Sequence, residues 1–316
     1  MEVSKVSVMA QVVVIGNIAL DETLAVEAFP APGASIAGSA ISQSVGGKGA
    51  NQAIALARAL AGVATVRLVA AIGPDPRGQV LAAGVADEPL DAQLTRRDSP
   101  TDFSVILRDR NRENTIVTTQ DCARAMTPAE AVAALGALGA GDALVLQGNL
   151  RPETSLAALA EAGRRGIWRI LNPSPVEGCN DAMLAECDLL CVNEGEAEHF
   201  GGVARLSQGR VLVRTLGPKG AEVWRDGTLQ LAVPGHPVAA LDPTGAGDCF
   251  LAALVAAMIR HGRRQPEAGD VGLASWAAGI CVSRLGTQGA FPSVAEFAAA
   301  FTAEGVGAPT GSAQPR

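Results

Sequence analysis

Uninterrupted apolar runs that alternate with helix-length stretches constrain this chain more than any other feature. Val12 to Gly16, Val66 to Ile72, Ala143 to Gln147, Ile167 to Leu171, Leu189 to Val192 and Val211 to Leu216 each carry at most one charge and show no period-two alternation. Such runs suit parallel strands covered on both faces. Helical patterns near Ala50 to Ala61, Glu153 to Arg165 and Asp181 to Glu186 lie between them, the signature of an α/β sheet with helices on both sides. Past Leu241 the pattern turns helical, over Gly245 to Arg260, Val271 to Arg284 and Val294 to Phe301.

Two stretches break the rhythm. Ser35 to Val45 is small, polar and alternating, and Asp102 to Thr119 reads as a β-hairpin around the charged turn Arg108 to Glu113. They can pair into a small sheet standing off the main one, as a lid does; a decorative insertion reads the same. The 316 residues contain no repeat and no dividing linker, and domains average roughly 100–200 residues. The expected organisation is one α/β domain over residues 1–303, a lid from about 17–45 and 95–119, and a flexible Gly/Pro/Ser/Ala-rich tail at 304–316.

Composition removes several function classes. A net charge of −7, 3% aromatic residues and no tyrosine argue against a nucleic-acid partner. No apolar run reaches the ~20 residues that cross a bilayer, and no secretory signal opens the chain, so no membrane partner and a cytoplasmic location are expected. Cys122, Cys179, Cys187, Cys191, Cys249 and Cys281 form no CxxC pair, and His199, His236 and His261 stand apart. Neither a disulfide framework nor a zinc site is expected.

Chemistry concentrates in two glycine-rich segments, Gly46-Gly47-Lys48-Gly49-Ala50-Asn51-Gln52 and Asp242-Pro243-Thr244-Gly245-Ala246-Gly247-Asp248, each opening a helix. Glycines there let backbone N–H groups approach an anion, and the positive end of the helix dipole favours negative charge. A tight turn without ligand is the plain alternative for either one alone. Neither segment is a Walker A motif, and the dinucleotide fingerprint GxGxxG is absent. A carboxylate at Asp248, beside an anion cradle, makes sense where it takes a proton from an attacking hydroxyl, which points to a kinase; a first-turn acid complementing the helix dipole is the competing account.

These two segments, with Asn193-Glu194-Gly195-Glu196, resemble the signatures of the ribokinase family of sugar kinases, also called the phosphofructokinase-B type, over almost the whole chain. The resemblance implies a three-layer α/β/α sandwich with a mostly parallel central sheet and a small β-sheet lid. It implies Asp248 as base with Gly245, Ala246 and Gly247 as anion hole, and Asp21, Gly46, Gly47, Lys48, Asn51 and Asn149 at the sugar. Thr215, Leu216, Gly217, Lys219 and Gly220 match the stretch lining the ATP site, and Asn193 and Glu196 the residues ordering Mg²⁺ and its waters. A monovalent cation, usually K⁺, is implied beside Asp242 and Thr244, with carbonyls around Cys281, Arg284, Gly286 and Ala290. A homodimer through the lid is also implied, the alternating face of Ser104 to Leu107 being a source of apolar surface.

Two departures bear on the substrate. Ala19 stands where the family pattern has a sugar-binding Asn, and Asn149 where it has a sugar-contacting Glu. The expected activity is ATP-dependent phosphorylation of the primary hydroxyl of D-ribose. Another small carbohydrate or a nucleoside is the alternative acceptor, and a catalytically silent sugar- or nucleotide-binding regulator the alternative class.

Overall fold

The first strand, β1 (Ala10–Ile15), sorts its side chains by parity: Val12 and Val14 enter one buried cluster, Val13 and Ile15 another. Alternate residues of a strand point to opposite faces, so a run apolar at every position must be covered on both sides. The computed structural model describes residues 10–111 and 113–303; the tail expected at 304–316 lies outside them.

In chain order, β1 is followed by β2 (Ala19–Val26), β3 (Gly38–Gly46), α1 (Lys48–Ala59), β4 (Ala64–Ile72), α2 (Pro76–Ala86) and β5 (Asp91–Arg96). Next come β6 (Phe103–Arg108), β7 (Asn114–Thr118), α3 (Asp121–Arg124), α4 (Pro128–Ala133), β8 (Ala143–Gln147), α5 (Pro152–Arg164) and β9 (Trp168–Asn172). Then follow α6 (Asp181–Ala185), β10 (Leu189–Asn193), α7 (Glu194–His199), α8 (Val203–Leu206), β11 (Val211–Thr215), β12 (Ala221–Arg225) and β13 (Thr228–Val233). Helices α9 (Ala246–Arg260), α10 (Ala268–Val282) and α11 (Val294–Thr302) close the described chain.

Nine strands form the main sheet in the order β13-β12-β11-β10-β9-β8-β1-β4-β5, parallel except where β12 pairs with β11 and β13. A smaller sheet, β3-β2-β6-β7, joins β2 and β6 in parallel and the outer pairs antiparallel. This is the expected α/β/α architecture with its small accessory sheet.

The β12–β13 hairpin and α2 escape the sequence pattern for physical reasons. The hairpin closes one edge of the sheet, where β13 buries only Val233 and needs no apolar run. Helix α2 buries only Gly78, Leu81 and Val85, but its start is marked by the Asp75 cap, which accepts from Gly78 N, and by Pro76. One expectation changes: on β6, Ser104 and Ile106 are buried and face a cavity, so they offer no outer surface. The exposed apolar residues of the smaller sheet are Ile41, Ile116 and Val117.

Helix α9 is buried from Asp248 through Met258, wedged against α1 and α10. An apolar sequence around the whole helix permits this, and the wedge brings the N-termini of α1 and α9 side by side.

Candidate active site

Five parallel strands deliver polar residues to one rim. Asn17 follows β1, Gln147 ends β8 with Asn149 just beyond, and Asn172, Asn193 and Thr215 end β9, β10 and β11. Ligands of open α/β sheets bind at the carboxyl ends of the strands. Ser104, Ile106, Asn114, Ile116 and Thr118 of the smaller sheet form the opposite wall, enclosing about 600 Å³. No aromatic side chain lines the cavity among the described residues.

Asp248 is the focus of this space. Its Oδ2 accepts from Asn51 Nδ2 at 3.0 Å and its Oδ1 from Gln52 Nε2 at 2.9 Å, both from the first turn of α1. Lys48 Nζ stands 3.8 Å from Oδ1. Gln52 accepts in turn from Gln147 Nε2 at 2.8 Å, tying the carboxylate to the end of β8. The glycine loops permit this convergence: Gly47 and Gly245 adopt φ of 88° and 77°, a region that favours glycine. A Cβ on Gly46 would lie 1.9 Å from Asp21 Oδ2, so only glycine lets β3 pass that carboxylate.

Asp21 is 5% exposed. Burial pushes its carboxyl up to about 6; a hydrogen bond from Ser104 opposes the rise and the negative charge of Asp248 adds to it. The Cys191 thiol, also on the cavity wall, is driven well above its usual range by burial and the nearby Glu196 and Asp248 carboxylates, which disfavours the thiolate nucleophile.

The polar wall is unevenly satisfied. Asn51 Oδ1, Asn114 Oδ1, Gln120 Oε1 and Asn149 Oδ1 are buried without a hydrogen-bond partner, and all four residues line the cavity. Four orphaned carbonyl acceptors call for a ligand rich in hydroxyl donors.

At the loop before α9, Gly245 and Gly247 N–H have no backbone acceptor among the described residues, whereas Ala246 N–H donates to Pro243 O at 3.2 Å. Of the three donors expected there, Gly245 and Gly247 N–H are thus without a backbone partner, while that of Ala246 closes the turn. A second cavity of about 390 Å³ adjoins this loop, lined by Gly217, Gly220, Pro237, Val238, Phe250 and Val282 among others. Thr215, Pro243 and Gly247 border both spaces.

Most expected site residues thus meet here: Asp21, Gly47, Lys48, Asn51, Asn149, Asn193, Glu196, Thr215, Thr244, Gly245, Gly247 and Asp248 border the first cavity, and Gly217, Gly220 and Ala246 the second. Leu216 and Lys219 border neither, because the turn at Gly217–Lys219 is closed by Leu216 N to Gly220 O and leaves Lys219 exposed. Asn17, Asn114, Gln120 and His236 also border the cavities. Asn17 lies in the segment read for its departure at Ala19; the other three sit in a hairpin and a loop whose partners are remote in sequence.

Among the expected monovalent-cation ligands, the Asp242 carboxylate is held by protein donors. Asp242 Oδ1 accepts from Thr244 N and Oγ1 at 3.0 and 2.6 Å, Oδ2 accepts from Gly286 N at 3.2 Å, and Arg108 Nη1 stands 3.9 Å from Oδ2. Cys281 O takes Arg284 N, the Arg284 side chain pairs with Glu296, and Ala290 N closes a turn onto Thr287 O. The Asp242 carboxylate is thus met by protein donors and one guanidinium, while the carbonyl oxygens of Arg284, Gly286 and Ala290 accept no hydrogen bond among the described residues.

A glycine-bordered anion loop, a carboxylate beside it and a hydroxyl-matched cavity are the working parts of a sugar kinase. The model of the pfkB family of carbohydrate kinases matches residues 9–294. The chain belongs to this family and is an ATP-dependent carbohydrate kinase. It is 30% identical over 298 residues to the ribokinase of Haemophilus influenzae, spanning 89% of this chain and 94% of that one. The ribokinase structure from Giardia lamblia superposes with a TM-score of 0.80 at 25% identity, over 94% of this chain and 99% of that chain. The Cryptococcus neoformans ribokinase structure, solved with ADP, does so with a TM-score of 0.77 at 26% identity, over 93% and 99%.

The raised Asp21 carboxyl yields a stability prediction. The folded chain binds a proton at Asp21 up to about pH 6, whereas the unfolded chain releases it near 3.8, the ordinary value of an aspartate. Stability therefore falls as pH rises through that window and stays lower above it. Asp21→Asn should stabilise the fold by on the order of 2 kcal/mol near neutral pH and by little at about pH 4. Urea unfolding of both proteins at the two pH values checks this; an equal difference at both would remove the carboxyl's titration as the cause.

Proposed function

We propose that the chain transfers the γ-phosphoryl group of ATP to the primary hydroxyl of a furanose sugar, D-ribose at O5, with Asp248 as general base. The observation that carries this reading is the joint presence, in one cavity, of the Asp248 carboxylate and four unpaired amide carbonyl oxygens. Hydroxyls of a sugar satisfy those acceptors, and Asp21, Lys48 and Asn17 supply further polar contacts on the same wall. The apolar second cavity suits the adenine, with Thr215, Pro243 and Gly247 on the path the phosphates would follow.

In this reading Asp248 takes the proton of the alcohol as its oxygen bonds to the γ-phosphorus and the bond to the bridging oxygen of ADP breaks. Asn51 and Gln52 hold the carboxylate in place, so no reorientation accompanies the transfer. Gly245 and Gly247 N–H, at the positive end of α9, stabilise charge on the migrating phosphoryl group. Asn193 and Glu196 fit a magnesium ion: they cap α7 reciprocally, Glu196 Oε2 accepting from Asn193 N, which holds one carboxylate at the cavity wall. Such an ion keeps several waters and takes one or two carboxylates besides the phosphates, whose charge it offsets when bound. The smaller sheet covers the acceptor cavity as a lid, which limits transfer to water.

Asp248→Asn should lower kcat by about 10²–10⁴-fold with ATP affinity nearly intact; near-normal turnover would remove Asp248 from the base role. In an ADP-release assay across pentoses, hexoses, deoxyribose and nucleosides, D-ribose should give the highest kcat/KM. A nucleoside ahead of every free sugar would reassign the acceptor.

Ile41 and Val117, exposed on the smaller sheet away from the cavity lining, support a homodimer through that sheet. Light scattering should give twice the 32.0 kDa chain mass, and Val117→Glu should return it to the monomer; a monomeric parent protein would refute this assembly.

A further inference from the structure

The rim of the main sheet opposite the candidate active site gathers positive charge. Arg169 is the second residue of β9, Asp188 and Arg210 immediately precede β10 and β11, and Arg225 ends β12, which runs antiparallel to β11. Strand direction therefore carries all four to the amino ends of the parallel strands. Arg264, from the turn between α9 and α10, joins them, and together they border a cavity of about 380 Å³. This cavity shares no lining residue with the two described above.

Four guanidiniums and a single carboxylate border the space, in a chain whose net charge is −7. That carboxylate is committed: Asp188 accepts from Arg169 Nε at 3.1 Å and Nη2 at 2.8 Å, while Glu186 takes Arg169 Nη1 at 2.9 Å. Arg225 has only Asp226, 3.6 Å away. Arg210 and Arg264 form no ion pair among the described residues, and each donates instead to a carbonyl oxygen, Leu184 O at 2.5 Å and Gly141 O at 3.2 Å. Arg210 Nε is buried without an acceptor. Arg264 lies over the ring of Trp168, 4.4 Å from its centroid. Partial burial holds that guanidinium below its ordinary pKa, and Asp188 and Asp142 oppose the fall only in part. Converging cations with unused N–H donors repel one another until an anion joins them.

We propose that this cavity is an anion site separate from the glycine loops, taking a small, multiply charged oxyanion: a diphosphate or phosphate ester, or a polycarboxylate. A guanidinium fork pairs two N–H donors with two oxygens of one phosphate or carboxylate. Arg210, Arg225 and Arg264 stand on two strand ends and a turn, so together they suit a ligand whose charge is spread over more than one group. Arg169, held by its own carboxylates, is a fixed part of the wall. Trp168, beneath Arg264, senses occupancy. The site does not depend on the phosphoryl-transfer reading, because none of its residues borders the sugar or nucleotide cavity.

Intrinsic tryptophan fluorescence of the full chain, titrated with sodium pyrophosphate or sodium citrate against NaCl at a matched ionic strength of about 0.1 M, tests this. A saturable change with half-saturation below about 1 mM is expected for at least one of the two anions and not for chloride. The tighter of the two tells whether phosphate or carboxylate groups are preferred; no saturable change with either overturns the proposal. Trp168→Phe should remove the signal. Arg225→Gln, at a side chain 46% exposed whose ionic partner is Asp226 alone, should weaken binding at least about tenfold with kinase turnover unchanged. A signal that survives Trp168→Phe, or wild-type affinity in Arg225→Gln, places the anion elsewhere, as at the loop before α9, and overturns the proposal. Thermal unfolding reads the same site without the fluorophore: the anion that binds should raise the wild-type Tm more than that of Arg225→Gln. An equal rise in both proteins overturns it.

Discussion

The side-by-side meeting of two helix N-termini is the constraint on which the rest of this molecule depends. Helix α1 contributes Asn51 and Gln52, α9 contributes Asp248, and two amide donors hold one carboxylate from both oxygens. The arrangement requires glycine at φ values that other residues rarely adopt on each incoming loop, and an α9 apolar enough to sit buried between two neighbours. The positive ends of both helices then face the space where phosphates carry negative charge. Either helix alone would offer an anion site; the pair also positions the Asp248 carboxylate.

Around that meeting point the sheet and its small companion divide the labour. The carboxyl ends of the parallel strands present short polar side chains at fixed spacing, a geometry set by strand pairing. The smaller sheet adds Asn114 and the two isoleucines from the other side, and is itself fastened by Arg108 to the anion loop and by Thr287 Oγ1 to Val45 O at 2.7 Å. The hairpin wall and the glycine loop before α9 are joined directly, although they lie some 130 residues apart in sequence, as Arg108 and Leu241 show.

Much of this was legible in the sequence where the signal was local. The apolar runs marked the central strands because double coverage leaves no polar alternation, and the glycine segments marked both helix starts. Asp248 stood out because an acid beside an anion cradle needs a chemical reason. What escaped was tertiary. Arg108 and Asn114 read as the ends of a charged hairpin turn, since nothing local reveals that their rung meets residues 241–244. Ala246 looked like one of three equivalent loop donors until its N–H was found closing the turn onto Pro243. Lys219 matched a nucleotide-site pattern, yet a single tight turn carries it outward.

That no aromatic ring among the described residues lines the first cavity has its own consequence. Many carbohydrate sites gain affinity by laying an aromatic plane against the pyranose or furanose face, a contact that tolerates epimers. Here the walls offer carbonyls that are already dehydrated and waiting. An epimer whose hydroxyl points the wrong way leaves one of them bare, and an unmatched buried oxygen costs more than a missing apolar contact. Such a wall discriminates chiefly by penalising wrong stereochemistry.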